Sequence, residues 1–422
     1  MDLLIKSAKI VDPLSKHHGK KMDVLIENGI LTSIKPQIPE QKCKTFKCPG
    51  LHLSPGWFDM HANFRDPGME YQETLETGTE SAMQGGFTGV ALYPATHPPI
   101  DNKAGIDYIQ SKTKKFLVDV FPFGTVSKGG SGKELSEMFD MHQAGALAFT
   151  DDKKSIQNAN LLKIALQYAM GFNGLIINFP NDRTISRNGV VNEGKEGAET
   201  GLRGIPALAE ELMVSRDLFL AGYCNSKIHI STISCGKSVD LIERAKKSGL
   251  AVSTEIASHQ IFLDDTYIKI FDSNYKVLPP LRNADEIKAL IKGIKNGVID
   301  VICSDHSPED EETKRKEFDD AAFGIIGLET CFAIANTVLR KIIPLEKIIE
   351  KICHNPRKIL GLEIPEIIEG KKANFTLFNP DTEWIFSKNH IFSKSKNTPF
   401  EGVKLTGKAL GVFNNGQWRE CK

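Results

Sequence analysis

The stretch PGWFDMHANFRDPG, Pro55–Gly68, is typical of a short buried strand that runs into a tight turn. Side chains alternate along a strand, so His61, Asn63 and Arg65 would point to the same side. Two histidines at this spacing would supply half of a zinc site. Here Asn63 stands in the second position, so the pair of histidines is incomplete. Whether a metal site is present must be judged from the rest of the chain.

The middle of the chain, residues 51–365, repeats a pattern of a short apolar run, a few polar residues and a helical segment. The segments between the runs, such as NLLKIALQYAM, space their apolar residues by three and four, as helices do. With the stretch around Trp57 there are eight runs, the others being FTGVALYP, KFLVDVFPFGT, GALAFTDD, GLIINFP, KIHISTIS, LAVSTEI and VIDVICSDH. Eight alternating units predict an α/β fold, a (β/α)8 TIM-like barrel.

The two ends of the chain, residues 1–50 and 366–422, contain short alternating runs and hairpin turn signals such as Asn28-Gly29. Chain termini often lie close together. We therefore expect both ends to form one composite domain, a small β-sandwich, beside a barrel of residues 51–365.

The composition indicates in which cellular compartment the protein works and which classes of binding partner it lacks. The formal net charge is zero, which gives no electrostatic case for nucleic acid or for an acidic membrane surface. No apolar run reaches the roughly 20 residues that span a bilayer, and MDLLIKSAKIVDP does not resemble a signal peptide. The eight cysteines include no C-x-x-C pair, which favours reduced thiols in a cytoplasmic protein.

Polar side chains follow the predicted barrel strands at their C-terminal ends, where barrel enzymes have their active sites. They come from six strands: His61, Asn63 and Arg65; Tyr93 to His97; Thr150 to Asp152; Asn178; Thr232; and Asp305 with His306. This polar ring on an apolar barrel predicts the position of the pocket.

Nearly the whole chain resembles the dihydroorotases of the amidohydrolase superfamily, of the longer type with a composite β domain. The motifs that carry the resemblance occur in order: PGWFDMHANFRDPG, ETGTESAMQGGFTGV, AFTDD, AETGLRGIPALAEELMVSRDLFLA, YKVLPPLR, CSDHSP, FGIIGLET, HNPRKILGL, KANFTLFNP and SKNTPFEG. Members of this family use one or two Zn²⁺ to activate a water. That water opens or closes the ring between dihydroorotate and N-carbamoyl-aspartate in pyrimidine biosynthesis.

The resemblance also implies which residues would hold the metal. Three match ligand positions of the family: His61, Asp151 and Asp305, the last also matching the general base. Three of the family's four histidine positions hold other residues: Asn63, Asn178 and Thr232. Amide and hydroxyl oxygens are weak zinc ligands, so the remaining set would hold zinc less firmly. Without a metal, water keeps a pKa near ~15.7 instead of the ~7 of a zinc site.

The substrate contacts that the resemblance implies are altered as well. Arg65 matches the arginine that pairs with the substrate carboxylate. Three family positions that contact substrate hold Ala95, Leu278 and Glu309, and His97 stands where the family often has asparagine. Alanine and leucine cannot hydrogen-bond a substrate and make a drier pocket, and Glu309 would repel a dianionic ligand. Arg65 is then expected to pair with Asp305 or Asp151.

Three functions remain open, and we favour the first. The chain is a dihydroorotase homologue without resident metal or catalysis, which has kept its fold; in this family, silent members serve as structural partners of aspartate transcarbamoylase. Alternatively, it is an active dihydroorotase or related cyclic-amide hydrolase that uses a reduced zinc site. Third, its pocket binds another small ligand, anchored by Arg65. A homodimer or larger assembly is the default expectation for such barrels.

Restoring the three histidines in the variant Asn63→His/Asn178→His/Thr232→His should raise zinc affinity, because it completes the ligand set that the resemblance implies. Isothermal titration of the metal-free variant and wild type with ZnCl₂ measures the change. If the triple variant binds zinc no better than wild type, these strand ends are not the family's ligand positions.

Overall fold

The computed structural model describes residues 2–422, and their central part closes into a ring of parallel strands. Strand 4 is reduced to parallel bridges from Phe149 to Gly124 and Ile176, and a bridge from Ala62 to His306 closes the ring. The barrel strands, numbered 1–8, are Trp57–Ala62, Phe87–Leu92, Asp119–Pro122, the bridges at Phe149, Ile176–Asn178, Ile228–Ile230, Val252–Ala257 and Val301–Cys303. The predicted TIM-like barrel is confirmed.

Strands 1 and 2 are buried along their whole length. This is expected of parallel strands that are covered by side chains on one face and by helices on the other. The helices are Leu75–Gln84, Lys103–Thr113, Met138–Gln143, Ala159–Met170, Arg183–Ser186, Lys195–Thr200, Ala207–Cys224, Gly236–Lys247, Ala284–Lys295, Glu311–Lys314, Cys331–Leu339, Leu345–Ile349 and Asn355–Leu360. Short 3₁₀ or π turns cover Lys128–Gly130, Ser258–Ile261, Asp265–Ile270, Ser273–Tyr275, Glu350–His354 and Lys388–His390, and a two-stranded ribbon pairs Val191–Asn192 with Gly204–Ile205.

Side-chain caps set where several of these helices begin. Thr74 and Thr77 form a capping box at the start of Leu75–Gln84. Asn283 accepts hydrogen bonds from the first-turn backbone of Ala284–Lys295, a helix with acidic residues in its first turn and lysines in its last. Both arrangements satisfy N–H groups that have no partner within the helix, and the charges oppose its dipole.

The two ends of the chain form one mixed sheet of eight strands beside the barrel. The two ends join where His52–Pro55 pairs antiparallel with Phe375–Ile385. This short strand lies just inside the range predicted for the barrel, so the sheet extends a few residues further along the chain than expected. The other strands are Leu3–Ile10, Lys21–Glu27, Ile30–Lys35, Lys44–Phe46, Lys404–Asn414 and Gln417–Glu420. The composite β unit predicted from the sequence is therefore present, and its strands form one continuous sheet.

Aromatic packing fastens this sheet to the first barrel strand. The ring of Trp57 lies 4.3 Å from that of Phe332 on a barrel helix and 5.3 Å from that of Phe378 in the sheet. The indole N–H of Trp57 donates to Ser54 Oγ at 3.0 Å. Four residues after Trp57 comes His61, so this packing fixes the strand that carries the first predicted site residue.

The structure contains no disulfide among its cysteines and no helix suited to cross a membrane within the described residues, as expected from the composition. All eight cysteines are free, and five of them are buried. Within residues 2–422, no helix has both the length and the apolar character that crossing a membrane requires.

Candidate active site

A cavity of about 630 Å³ opens at the C-terminal ends of the barrel strands. Its size falls within the range of small-molecule sites. Predicted site residues from several strands line it, among them Arg65, Ala95, His97, Asp151, Leu278 and Asp305. Ala95 and Leu278 contribute apolar wall as expected, but they do not close the cavity.

The buried side chain of His61 is held in one orientation. Its Nδ1 lies 2.7 Å from Glu255 Oε1, and its ring stacks on Tyr93 with centroids 3.7 Å apart. Ser231 Oγ donates to the same Glu255 oxygen at 2.8 Å. Because Nδ1 faces Glu255, Nε2 is directed away from it, towards the ends of strands 4 and 8.

His61 and Glu255 form a charged pair inside the barrel. Burial alone would lower the pKa of His61, but the charges of Glu255 and Asp305 and the contact with Asp152 together outweigh burial and raise this pKa to about 9. Burial would raise the pKa of Glu255, but His61 and His229 hold it well below its ordinary value. At neutral pH His61 therefore carries protons on both nitrogens and acts as a donor.

Two carboxylates face His61 Nε2. Asp152 Oδ1 lies 3.5 Å from it and Asp305 Oδ1 lies 3.3 Å from it. The strand 4 carboxylate of this cluster is thus Asp152, whereas the sequence analysis assigned that place to Asp151. The backbone at Asp152 has a φ of 55°, and this left-handed turn brings the second aspartate, not the first, into the cluster.

The carboxylate of Asp151 instead organises the loop after strand 3. It accepts hydrogen bonds from the backbone N–H groups of Val126 at 2.9 Å and Ser127 at 3.0 Å, and from the Ser127 hydroxyl. Asp151 is therefore a loop-fixing residue in this structure, and its carboxylate does not contact His61.

Lys153 places an ammonium group in the same cluster. Its Nζ lies 2.8 Å from Asp305 Oδ1 and donates to Thr232 Oγ1 at 3.1 Å. The group is also 5.0 Å from the ring centre of Phe179. Two positions that the family resemblance gives to metal ligands, at the ends of strands 6 and 8, thus share one lysine.

Arg65 is already paired within the chain. Its Nη2 lies 2.7 Å from Glu309 Oε1 and 2.9 Å from Ser307 Oγ. The expected pairing with Asp305 or Asp151 is therefore wrong. Glu309, which would repel a dianionic ligand, instead neutralises the guanidinium that would attract one.

The asparagines at the predicted histidine positions make structural hydrogen bonds. Asn178 donates to Asp217 Oδ2 at 2.6 Å and accepts from the backbone N–H of Ile156 at 3.2 Å. Asn63 Nδ2 reaches Asp152 Oδ2 at 3.4 Å. Asn178 is therefore committed to the barrel wall, while Asn63 remains next to the charged cluster.

Two further histidines near the cavity have different environments. His259 is buried and lines the cavity, neither ring nitrogen has a hydrogen-bond partner in the described chain, and burial lowers its pKa to about 4. His306 accepts from the backbone N–H of Gly327 at 3.2 Å and lies 3.4 Å from Glu73. His306 therefore does not pair with Asp305.

The donors present do not fit a zinc ion as they are arranged. Among groups of His, Cys, Asp and Glu in residues 2–422, only His61, Glu255 and Cys303 bring three ligand atoms within 4.8 Å of one another. In that group His61 and Glu255 bind each other, and burial raises the pKa of the Cys303 thiol well above its ordinary value. The set of His61 with Asp152 and Asp305 offers one nitrogen and two carboxylates, one of them beside an ammonium. Catalytic zinc sites have three protein ligands and an open position, so the misfit of this set lies in the Lys153 ammonium, which would have to leave Asp305 before zinc could bind there.

From the sequence, Asp152 is expected in the polar ring but not beside His61, and Glu255 and Lys153 are not identified as site residues. Asp152 and Lys153 directly follow the aspartate that was chosen at the end of strand 4, so their position was a usable signal. Glu255 was not recognisable as a site residue, because it lies within strand 7 and only the closed barrel brings it to His61.

Comparison with known proteins agrees with the fold and the motifs. A family model described as dihydro-orotase-like matches residues 50–238, and the amidohydrolase family model matches residues 208–419. A protein of Acetivibrio thermocellus named dihydroorotase is 41% identical over 417 residues, which cover 98% of each chain. One of Carboxydothermus hydrogenoformans with the same name is 41% identical over 410 residues, covering 96% of this chain and 95% of that one.

Solved structures of hydantoinases have the same fold. The L-hydantoinase of Arthrobacter aurescens superposes with a TM-score of 0.86 at 23% identity, covering 99% of this chain and 95% of its own. A D-hydantoinase superposes with a TM-score of 0.84 at 20% identity, covering 100% and 96%. At such low identity the likeness concerns the architecture alone.

The His61–Glu255 pair should make stability pH-dependent. The pKa of His61 is raised to about 9 on folding, so its contribution is complete below pH 6.5 and is lost as the pH rises through 9. Glu255→Gln should cost about 3–5 kcal/mol at pH 6, the usual effect of breaking a buried pair, and should flatten the decline between pH 6.5 and 9. Urea unfolding at pH 6 and pH 9 measures both effects. Glu383→Gln, which breaks the exposed pair with Lys404, is the control and should leave stability unchanged.

Proposed function

Because the chain belongs to the dihydroorotase family of amidohydrolases, we propose that it is a catalytically silent member of that family. The main support is the Lys153 ammonium, which lies 2.8 Å from Asp305 Oδ1. Asp305 stands at the position that the resemblance gives to the general base. Its carboxylate oxygen is engaged by an internal cation, so it is not free to orient and deprotonate a water.

Ring opening of a cyclic amide needs a nucleophilic water, and the family obtains it by lowering the pKa of water at a metal. The donors around His61 do not fit zinc as they stand, and Asn178 is turned towards Asp217. No other group in the cluster supplies a comparable activation. The expected consequence is the loss of several kcal/mol of transition-state stabilisation, or roughly three powers of ten or more in rate.

The substrate side of the cavity supports the same proposal. A dianionic substrate would need Arg65 to be available, and Arg65 is bound to Glu309 at 2.7 Å. Ala95 and Leu278 offer no hydrogen bond to a ligand in the cavity that they line. Binding of N-carbamoyl-aspartate, a dianion, would therefore leave polar groups of the ligand unpaired as well as displacing an ion pair.

Purified protein should not close the ring of N-carbamoyl-aspartate or open that of dihydroorotate at a measurable rate, even with ZnCl₂ in slight excess. The protein of Acetivibrio thermocellus named dihydroorotase, prepared and assayed in the same way, is the control. A rate within about a thousandfold of that control, together with one zinc per chain in the same sample, would establish an active enzyme with a reduced site.

A silent chain that retains its fold is suited to a structural role, and we extend the proposal to an assembly with aspartate transcarbamoylase. The match with the protein of Acetivibrio thermocellus covers 98% of the chain, so it includes both the barrel and the composite sheet, whereas Asn63, Asn178 and Thr232 stand where the family resemblance would place histidines. This combination is expected where a surface, and not a reaction, is under selection.

Co-expression with aspartate transcarbamoylase, followed by size-exclusion chromatography with light scattering, tests the partner. We expect one peak whose mass is the sum of the two components in an integral ratio. A hydantoinase of the same fold serves as the control and should elute separately. Separate elution of the present chain at micromolar concentration would remove the partner from the proposal and leave the assignment of silence untouched.

A further inference from the structure

Resting on the proposed absence of catalysis, we infer that Lys153 is a tethered replacement for the metal ion. Its ammonium contacts Asp305 and Thr232 directly, at 2.8 and 3.1 Å. The same Asp305 oxygen lies 3.3 Å from His61 Nε2. Lys153 therefore supplies positive charge at the meeting point of three strand ends from which the family resemblance would draw metal ligands.

The charges of the cluster explain why a cation is needed there. Asp152, Asp305 and Glu255 are three buried or largely buried carboxylates within reach of a single imidazole. Buried charges are costly unless opposite charges compensate them, and removing one partner of such a set is strongly destabilising. Without Lys153, only the imidazoles of His61 and His229, among the basic groups of the described residues, would directly contact these three carboxylates, and the cluster would carry an excess of negative charge. Lys153 reduces that excess.

The position of the ammonium is also incompatible with a divalent ion on the same carboxylate. Lysine is a compact point charge with three donors, and here it uses the Asp305 oxygen and the Thr232 hydroxyl. A metal bound to that oxygen would face a like charge at close range, so Lys153 would first have to leave. The side chain is mostly buried, with 23% of its surface exposed. Leaving would also break the cation–π contact of its ammonium with the Phe179 ring.

Three residues around Lys153 have unusual backbone conformations. Asp152, Thr232 and Asp305 have φ angles of 55°, 36° and 49°, in the left-handed region that such residues seldom occupy. Backbone strain of this kind persists only where the surroundings impose it, and it is concentrated at functional sites. The strand ends therefore still hold their side chains around one point, where the Lys153 ammonium forms an ion pair with Asp305 and a hydrogen bond with Thr232.

The test is zinc binding by metal-free wild type, Lys153→Met and Lys154→Met, titrated with ZnCl₂ alone. Lys153→Met keeps the apolar stem and removes the charge, and it should bind zinc at least tenfold more tightly than wild type. Lys154→Met removes the neighbouring exposed lysine and should bind as wild type does. Lys153→Arg retains a cation and should show no gain.

A second readout separates this role from a merely structural one. Without metal, Lys153→Met should have a lower Tm than wild type, and excess ZnCl₂ should raise the Tm of this variant but not of wild type, because zinc binds the folded state. Where Lys153→Met does not fold, Lys153→Gln, which keeps hydrogen-bond donors, replaces it in both measurements. Equal zinc affinity of the neutral variant and wild type overturns the inference, even where wild type proves inactive and metal-free. Stoichiometric zinc in wild type with turnover overturns the proposed function instead.

Discussion

The buried ion pair between His61 and Glu255 is the constraint on which the barrel mouth depends. It joins the first strand of the barrel to the seventh across the closed ring, at 2.7 Å, and Tyr93 of the second strand stacks on the imidazole. Because Glu255 holds Nδ1, the other nitrogen must face the ends of strands 4 and 8. The orientation of one ring therefore sets where Asp152 and Asp305 find a partner, and His61 and Lys153 are the two cationic groups that face Asp305.

Several other charges in and around the cavity also have an ionic partner inside the chain. Arg65 is neutralised by Glu309, Asp305 by Lys153 and His61, and Asp217 by Arg216 at 2.6 Å. In a working site of this family, a metal and a dianionic substrate would be the natural partners of the carboxylates and of Arg65. Because the partners belong to the chain itself, these buried charges are compensated whether or not a metal or a substrate is bound.

The barrel and the composite sheet could be predicted from the sequence because both depend on patterns that are local. Alternating apolar runs and three- or four-residue spacings determined all eight strand positions, including strand 4, which the structure reduces to bridges at Phe149.

The site was harder to predict because its contacts depend on one-residue differences in a turn. Because the backbone of Asp152 is left-handed, the side chain of Asp152, and not that of Asp151, faces His61. Nothing in the sequence TDDKK predicts this backbone conformation. Similarly, the partner of Arg65 depends on how the loop after strand 8 returns to the barrel, which brings Glu309 closer than Asp305.

Four of the eleven non-glycine residues with positive φ lie at this barrel mouth, namely Arg65, Asp152, Thr232 and Asp305. Such conformations cost of order 1–3 kcal/mol each and are usually justified by the chemistry that they make possible. Where that chemistry is absent, another interaction must offset the cost, or the backbone would relax. Each of these residues makes a charged or charge-assisted contact: Arg65 with Glu309, Asp152 with His61, and Thr232 and Asp305 with Lys153. If the site is silent as proposed, these ion pairs do the structural work that a metal and a substrate would otherwise do, and they hold the strained backbone of the strand ends in place.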